Sequence, residues 1–135
     1  MIYRSADFAY PQLERTTYKD EPGTWVAVSR RLLAPESQTA FETRYFEIAP
    51  HGYTSYERHA HEHVVVVLRG AGEAQLGQTW APVKEGDVVH VQPHVPHQFR
   101  NPHAEPFGIL CVVNRDRDRP VLLNDDGTPR PPENE

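Results

Sequence analysis

Short apolar runs separated by proline and glycine dominate this chain. Thirteen prolines and eight glycines are spread through its 135 residues. No stretch longer than about ten residues keeps apolar side chains at the 3.6-residue spacing of an amphipathic helix. The segments between the breaks are rich in β-branched and aromatic residues, which favour strands. The sequence therefore predicts an all-β protein.

Eight segments have the length and composition of strands. About eight short strands at such spacing are typical of a sandwich, a jelly roll or a small barrel. In one of them, "VVVVL" at 64–68, apolar and polar residues do not alternate. We expect that strand to be covered on both faces, by the barrel interior and by another sheet or subunit, which predicts a homodimer. The eight segments are 24–33, 40–49, 54–59, 63–70, 72–77, 87–92, 97–101 and 107–114.

The two ends of the chain differ in composition from its centre. Residues 1–23 are polar and mixed, which predicts an N-terminal arm or edge segment, and residues 24–114 hold the predicted barrel. Residues 115–135 form a charged, proline-rich tail that we expect to be partly disordered, above all in its last ten residues. A chain of this length is expected to form a single domain with one core.

Composition argues against several classes of partner. The formal net charge is -5 and the lysines and arginines are scattered, so nucleic acid is not expected as a partner. The longest apolar run is far shorter than the roughly 20 residues of a membrane-spanning helix, so no membrane contact is expected. The single cysteine, Cys111, and the absence of an apolar leader predict a cytoplasmic protein. Cys111 itself is predicted to be a small buried hydrophobe.

Eight histidines occur in the chain, and three of them alternate in "ERHAHEH" at 57–63. Side chains two apart on a strand share a face, so Glu57 and His59 are expected to point the same way. Imidazole and carboxylate groups are ligands for Zn, Fe, Ni, Cu and Mn. A strand with histidines on its solvent face would show the same alternation, so the motif alone leaves both interpretations open. A second group, "HVQPHVPHQFRN" at 90–101, offers further ligands.

These two groups give residues 50–101 a resemblance to the cupin superfamily. Its first motif is G-x5-H-x-H-x3-4-E-x6-G and its second is G-x5-P-x-G-x2-H-x3-N. The resemblance implies a single-domain, jelly-roll barrel, also called a double-stranded β-helix. The corresponding positions are Glu57, His59, His63 and Gly70 in the first motif and Gly86, His97 and Asn101 in the second.

The resemblance also implies a ligand set for one divalent transition metal ion, whether Zn, Fe, Ni, Mn or Cu. The set consists of Glu57, His59, His63 and His97. The carboxylate stands where the family has its first histidine, and His63 stands where the family has its glutamate. His61 falls where the family spacing expects a turn, and it is the competing ligand that would displace Glu57.

Three further positions depart from the motifs, and one of them is Gln92 at the proline of the second motif. His51 stands at the first glycine of the first motif, and His94 stands at the second glycine of the second motif. None of these positions is a ligand in the family, so we expect these changes to affect local turns and leave the metal site intact.

A metal at the barrel mouth implies a metal-dependent enzyme acting on a small oxygenated organic molecule, such as a sugar acid, keto acid or enol. The alternative is a non-catalytic cupin module that binds or senses a small ligand. An enzyme needs an acid or base besides the ligands, and the candidates are Tyr45, Tyr53 and His61.

Overall fold

The computed structural model describes residues 1–17 and 23–131. Over these ranges every regular element is a strand, which confirms the all-β prediction. No helix in this part of the chain has the length and apolar character needed to cross a bilayer. The strands are β1 (Thr16–Thr17), β2 (Val26–Leu32), β3 (Phe41–Tyr53), β4 (Glu57–Arg58), β5 (His63–Arg69), β6 (Ala71–Leu76), β7 (Thr79–Lys84), β8 (Val88–Val91), β9 (His97–Arg100), β10 (Phe107–Asn114) and β11 (Val121–Leu122).

All strand pairs are antiparallel and belong to one curled sheet. The order across it is β11, β4, β9, β3, β10, β5 and β8. The long strand β3 also pairs with β2, while β6 pairs with both β9 and β7. Strand β4 pairs with β9, and β5 pairs with β10 and β8. The histidine groups at 57–63 and 90–101 therefore lie in the same curled sheet.

The inward face of this sheet forms the hydrophobic core. Val65 and Val67 on β5 are 1% exposed, whereas Val64 is 40% exposed. The "VVVVL" strand is therefore fully covered on one face within this chain, and the homodimer stays a prediction. The core residues are Trp25, Val28, Phe46, Ile48, Val65, Val67, Ala74, Val89, Val91, Phe99, Phe107, Ile109, Cys111 and Val113.

Strand β7 was not among the predicted strands. It forms a hairpin with β6 through a two-residue turn, in which Gly77 has a φ of +62°. Pro82 lies on β7 opposite Glu73, and β7 pairs with β6 alone. An edge strand accepts proline because one side of it donates no ladder hydrogen bonds. Pro82 therefore argued against a strand in the sequence, although it does not disrupt β7 in the structure.

Both ends of the described chain pack against the barrel. Phe8 stacks on Tyr45 on the outer face of β3, with ring centroids 5.7 Å apart. Within the predicted tail, β11 pairs with β4 and Leu123 is fully buried. Residues 132–135, which fall in the part predicted to be disordered, lie outside the described ranges, and the division into three segments stays a prediction.

Candidate metal centre

Three histidines converge on one point inside the barrel. His59 follows β4, His63 begins β5 and His97 begins β9. Each offers one ring nitrogen, and these three atoms lie within 4.8 Å of one another. His59 and His97 are buried, and His63 is half-buried. Residues far apart in the sequence thus present a compact donor set of three nitrogens.

The Nδ1 atoms of His59 and His97 are held by backbone carbonyls. His59 Nδ1 lies 2.6 Å from the oxygen of His61, and His97 Nδ1 lies 3.0 Å from the oxygen of Val95. A carbonyl oxygen only accepts, so each Nδ1 carries the proton and donates it. The lone pair is left on Nε2, which is how proteins orient imidazole ligands toward a metal.

His63, the third histidine of the set, contacts a sulfur atom through one ring nitrogen and His59 through the other. Its Nε2 lies 2.9 Å from Nε2 of His59, and its Nδ1 lies 2.8 Å from Sγ of Cys111. Two nitrogens bound to one ion at about 2.1 Å, a right angle apart, are separated by about 3 Å. The spacing therefore suits a shared ion. Without one, Cys111 would donate to His63 and His63 Nε2–H would donate to His59.

Burial keeps these rings neutral. Desolvation lowers the pKa of His59 to about 4 and that of His97 to about 4. The pKa of His63 is lowered further, first by burial and then by the neighbouring His97 and His59. Metal-binding imidazoles must be deprotonated, so the environment prepares all three for coordination at neutral pH.

Glu57 and His61 occupy different places around this centre. Glu57 is half-buried, pairs with His97 across β4 and β9, and lines the same cavity, but its carboxylate is not part of the group of converging ligand atoms. His61 lies in the bend between β4 and β5, where a turn was expected. Its ring stacks on that of His59, with centroids 3.7 Å apart and planes 4° apart. The choice between Glu57 and His61 as a ligand stays a prediction.

Asp118 holds the bend that carries His61. Its carboxylate accepts hydrogen bonds from the backbone nitrogens of Ala60 at 2.8 Å and His61 at 3.0 Å. It also lies 2.7 Å from His61 Nδ1. These hydrogen bonds, led by that from Ala60, hold the pKa of Asp118 well below its ordinary value. No local pattern marks Asp118, because its role depends on a contact with a bend far away in the sequence.

Two more side chains beside the histidines were missed as site residues. Cys111 is 3% exposed, and burial raises the pKa of its thiol, as expected for a small buried hydrophobe. It nevertheless contacts His63 and lies 3.4 Å from a terminal nitrogen of Arg44. Arg44 is itself 6% exposed. Strand alternation could have identified it, since Arg44 shares the inward face of β3 with Phe46 and Ile48.

A cavity of about 110 Å³ opens beside the histidines. This space is sufficient for several waters or a small organic molecule. Its walls combine aromatic and apolar side chains with the donor groups described above. They are Trp25, Arg44, Phe46, Thr54, Glu57, His59, His61, His63, Val65, His97, Phe99, Ile109, Cys111, Arg117, Asp118 and Pro120.

Of the three residues considered as proton carriers, His61 alone lines this cavity. Tyr45 points to the outer face of β3, where its hydroxyl donates to Glu47. Tyr53 lines a different cavity of about 730 Å³, together with Trp80. Position along a strand could not predict which of the three residues lines the cavity, because this depends on the curvature of the sheet.

The two histidines at glycine positions of the motifs adopt left-handed backbone conformations. His51 has a φ of 67° and His94 has a φ of 65°. Glycine adopts this conformation without the steric cost that a side chain adds, which explains the motif preference. The backbone nitrogen of His94 donates to the oxygen of His59 at 2.7 Å. The strained turn thus also holds one of the three histidines.

The family model of the cupin domain matches residues 44–113, a range that contains all three histidines. This chain belongs to the cupin family. The match confirms the resemblance seen in the two motifs.

Individual relatives agree with this assignment. The chain is 36% identical over 118 residues to 1-methylthio-D-xylulose 5-phosphate methylsulfurylase of Rhodospirillum rubrum, covering 87% of this cupin and 76% of that enzyme. The crystal structure of a cupin-2 domain from the same organism superposes with a TM-score of 0.83 and 34% identity, over 94% of this chain and 86% of that one. A cupin 2 conserved barrel protein from Rhodopseudomonas palustris gives a TM-score of 0.78 and 41% identity, over 85% and 80% of the two chains.

Proposed function

We propose that this cupin binds one divalent transition metal ion through Nε2 of His59, His63 and His97. We propose further that it is an enzyme acting on a small oxygenated organic molecule in the adjoining cavity. The observation that carries the proposal is the convergence of three neutral ring nitrogens, with the Nδ1 atoms of all three rings engaged elsewhere. Three protein ligands leave coordination positions open to a substrate.

Glu57 is the natural fourth ligand. It lines the same cavity as the three histidines and is paired in register with His97 across β4 and β9. Three imidazoles and one carboxylate form a donor set that Zn, Fe, Ni, Mn and Cu all accept. A bound ion would polarise a carbonyl or enol oxygen of the substrate.

His61 and Asp118 supply the proton-transfer group in this proposal. The Asp118 carboxylate accepts the Nδ1 proton of His61, which leaves Nε2 of His61 able to take a proton from a substrate. The side chain of His61 is 7% exposed and lines the cavity. Apolar walls that include Phe46 and Phe99 keep bulk water away from the reacting atoms.

The relative from Rhodospirillum rubrum supports the class of substrate. The name of that enzyme describes action on a xylulose phosphate, a compound that carries a ketone. A metal that polarises a carbonyl and a base beside it suit ketones and enols in general. We therefore place the substrate of this cupin among small ketones, keto acids or their enols.

Metal reconstitution tests the first part of the proposal. Protein purified without an affinity tag, stripped and reloaded with Zn, Fe, Ni, Mn or Cu should bind close to one ion per chain. Anomalous diffraction should place that ion at the three Nε2 atoms. Failure to bind any of the five metals would contradict the proposal. It would indicate that hydrogen bonds from Cys111 to His63 and from His63 to His59 take the place of an ion.

Turnover tests the second part. The metal-loaded protein should convert a small keto acid, and His61→Gln should slow the reaction without removing the metal. Stabilisation of the loaded protein by such compounds without any turnover would instead support the alternative, a module that binds or senses a small ligand.

We also propose that the protein is a homodimer and that it is cytoplasmic. Val64 and Val88, on the paired strands β5 and β8, are 40% and 61% exposed and leave an apolar strip on the outer face. Analytical ultracentrifugation should give twice the chain mass. Val88→Asp should shift the protein to monomer without altering the metal content.

A further inference from the structure

Arg44 places a buried positive charge in the wall of the metal cavity. The residue is 6% exposed and lies on β3 at the position paired with Cys111. Its guanidinium group remains charged under all ordinary conditions and offers five donors. Burying such a charge is costly unless an anion compensates it, so the surroundings of Arg44 indicate what the cavity is built to receive.

The protein itself supplies little compensation for this charge. One terminal nitrogen contacts the neutral thiol of Cys111 at 3.4 Å, and the guanidinium carbon lies 5.1 Å from the ring centre of Phe46. The Nε atom of Arg44 has no hydrogen-bond partner. Among the ion pairs of the described residues none includes Arg44. Arg117, on the same cavity, is by contrast 3.3 Å from Glu42.

We propose that Arg44 binds the carboxylate of the substrate, which makes the substrate a small hydroxy or keto acid. This rests on the proposed function, because it assigns the substrate class of the same metal cavity. The planar guanidinium fork matches the two oxygens of a carboxylate. The link from Arg44 through Cys111 to His63 places the carboxylate next to the three histidines. An ion held by the three histidines would then be close to the adjoining keto or hydroxyl oxygen of the same molecule.

A carboxylate suits this site better than a phosphate does. Phosphate sites gather several donors, commonly at a helix N-terminus or a nest of backbone amides. The described ranges contain no helix, and the second arginine of the cavity is engaged by Glu42. Glu57 also lines the cavity, and its carboxylate disfavours a second negative charge on the ligand. A small monocarboxylate fits both the charge balance and the volume of about 110 Å³.

The test compares glycolate with glycolamide, a matched neutral molecule in which an amide replaces the carboxylate. Both are titrated calorimetrically into zinc-loaded and metal-free protein. Wild type should bind glycolate at least about tenfold more tightly than glycolamide. Arg44→Met should remove this preference, and Arg44→Lys should retain part of it. The zinc affinity of both variants should match that of wild type. Arg100→Met changes an arginine of the separate cavity of about 730 Å³; it is the control and should leave glycolate binding unchanged.

The outcomes separate this inference from the proposed function. Unchanged glycolate affinity in Arg44→Met, or equal affinities for glycolate and glycolamide in wild type, would overturn the role of Arg44. Displacement of glycolate by an equal concentration of inorganic phosphate would overturn the carboxylate class. Absence of zinc binding together with glycolate binding that depends on Arg44 would overturn the proposed metal function alone. If Arg44→Met fails to fold, the comparison of glycolate with glycolamide in wild type and in Arg44→Lys still tests the role of Arg44.

Discussion

Two cavities of this barrel differ in how fully their polar groups are satisfied. In the larger, of about 730 Å³, Arg100 is paired with Glu73 at 2.8 Å and stacks over Trp80 at 3.6 Å. In the smaller, of about 110 Å³, three imidazoles direct lone pairs to one point and a buried guanidinium lacks an anion. Groups that keep unused bonding capacity at a cost to stability favour the smaller cavity as the functional site, although it is not the larger of the two.

Loss of one histidine of the three should have the largest effect. His97→Ala removes a proposed ligand from the buried centre, so the affinity for zinc should fall by about 100-fold or more. Competition against a chromophoric chelator measures it. Arg100→Met, in the larger cavity, is the control and should leave the affinity unchanged. Similar losses in the two variants would erase the distinction between the cavities.

Acid should destabilise the metal-free protein through the smaller cavity. The pKa of His59 and that of His97 are about 4 in the folded protein, against 6.5 for the free residue. Between these values the unfolded chain binds more protons, so stability is fully present above pH 6.5 and is lost as the pH falls toward 4. The loss should be on the order of a few kcal/mol, measured by urea unfolding at several pH values.

Variants can assign this acid sensitivity to the cavity. His97→Gln should flatten the dependence of the free energy of unfolding on pH between 6.5 and 4. His90→Gln changes an exposed histidine that pairs with Glu62, and it should leave the slope intact. A slope that His97→Gln does not alter would show that other groups govern acid unfolding.

Asp118→Asn should have a smaller effect on the metal centre. The variant keeps one acceptor oxygen but weakens the hold on the bend and on the His61 ring that stacks on His59. Because Asp118 acts through His61 on His59, a proposed ligand, we expect the zinc affinity to fall by about three- to tenfold. Asp125→Asn, at the larger cavity, is the matched control. A zinc affinity equal to wild type in Asp118→Asn would show that the bend is held without this carboxylate.

Relief of backbone strain should give the smallest effect. His94→Gly beside the three histidines and His51→Gly at the larger cavity should each stabilise the protein by about 0.5–1 kcal/mol, because glycine adopts positive φ without steric cost. Urea unfolding measures both. His90→Gly, within β8, should destabilise the protein instead. Destabilisation by His94→Gly alone would mean that its ring, unlike that of His51, supports the metal centre.

Much of the fold could be predicted because strand periodicity and turn residues are local signals. The predicted segments 63–70 and 107–114 correspond closely to His63–Arg69 and Phe107–Asn114. Strand β7 was missed because Pro82 is tolerated only at an edge, and edge position is a property of the whole sheet. The short strand β11 was missed because its pairing partner is β4, more than sixty residues earlier.

The candidate site likewise has residues that the sequence could predict and residues that it could not. Motif spacing singled out His59, His63 and His97, and these three side chains converge in the structure. It did not identify Arg44 or Asp118, whose roles depend on contacts across the barrel. Sequence alternation alone would also have treated His61 as the equal of its neighbours, although Asp118 engages it from outside the cluster.

The sequence by itself determined the all-β class, the cupin resemblance and the chemical nature of the donors. These follow from residue types and short spacings, which depend on geometry within a single strand or turn. Only the tertiary structure decided which ring nitrogens face one another, which arginine is buried without an anion and which cavity each aromatic residue enters. Those properties depend on sheet curvature and on contacts between distant strands, because burial and hydrogen bonding are defined by the whole barrel.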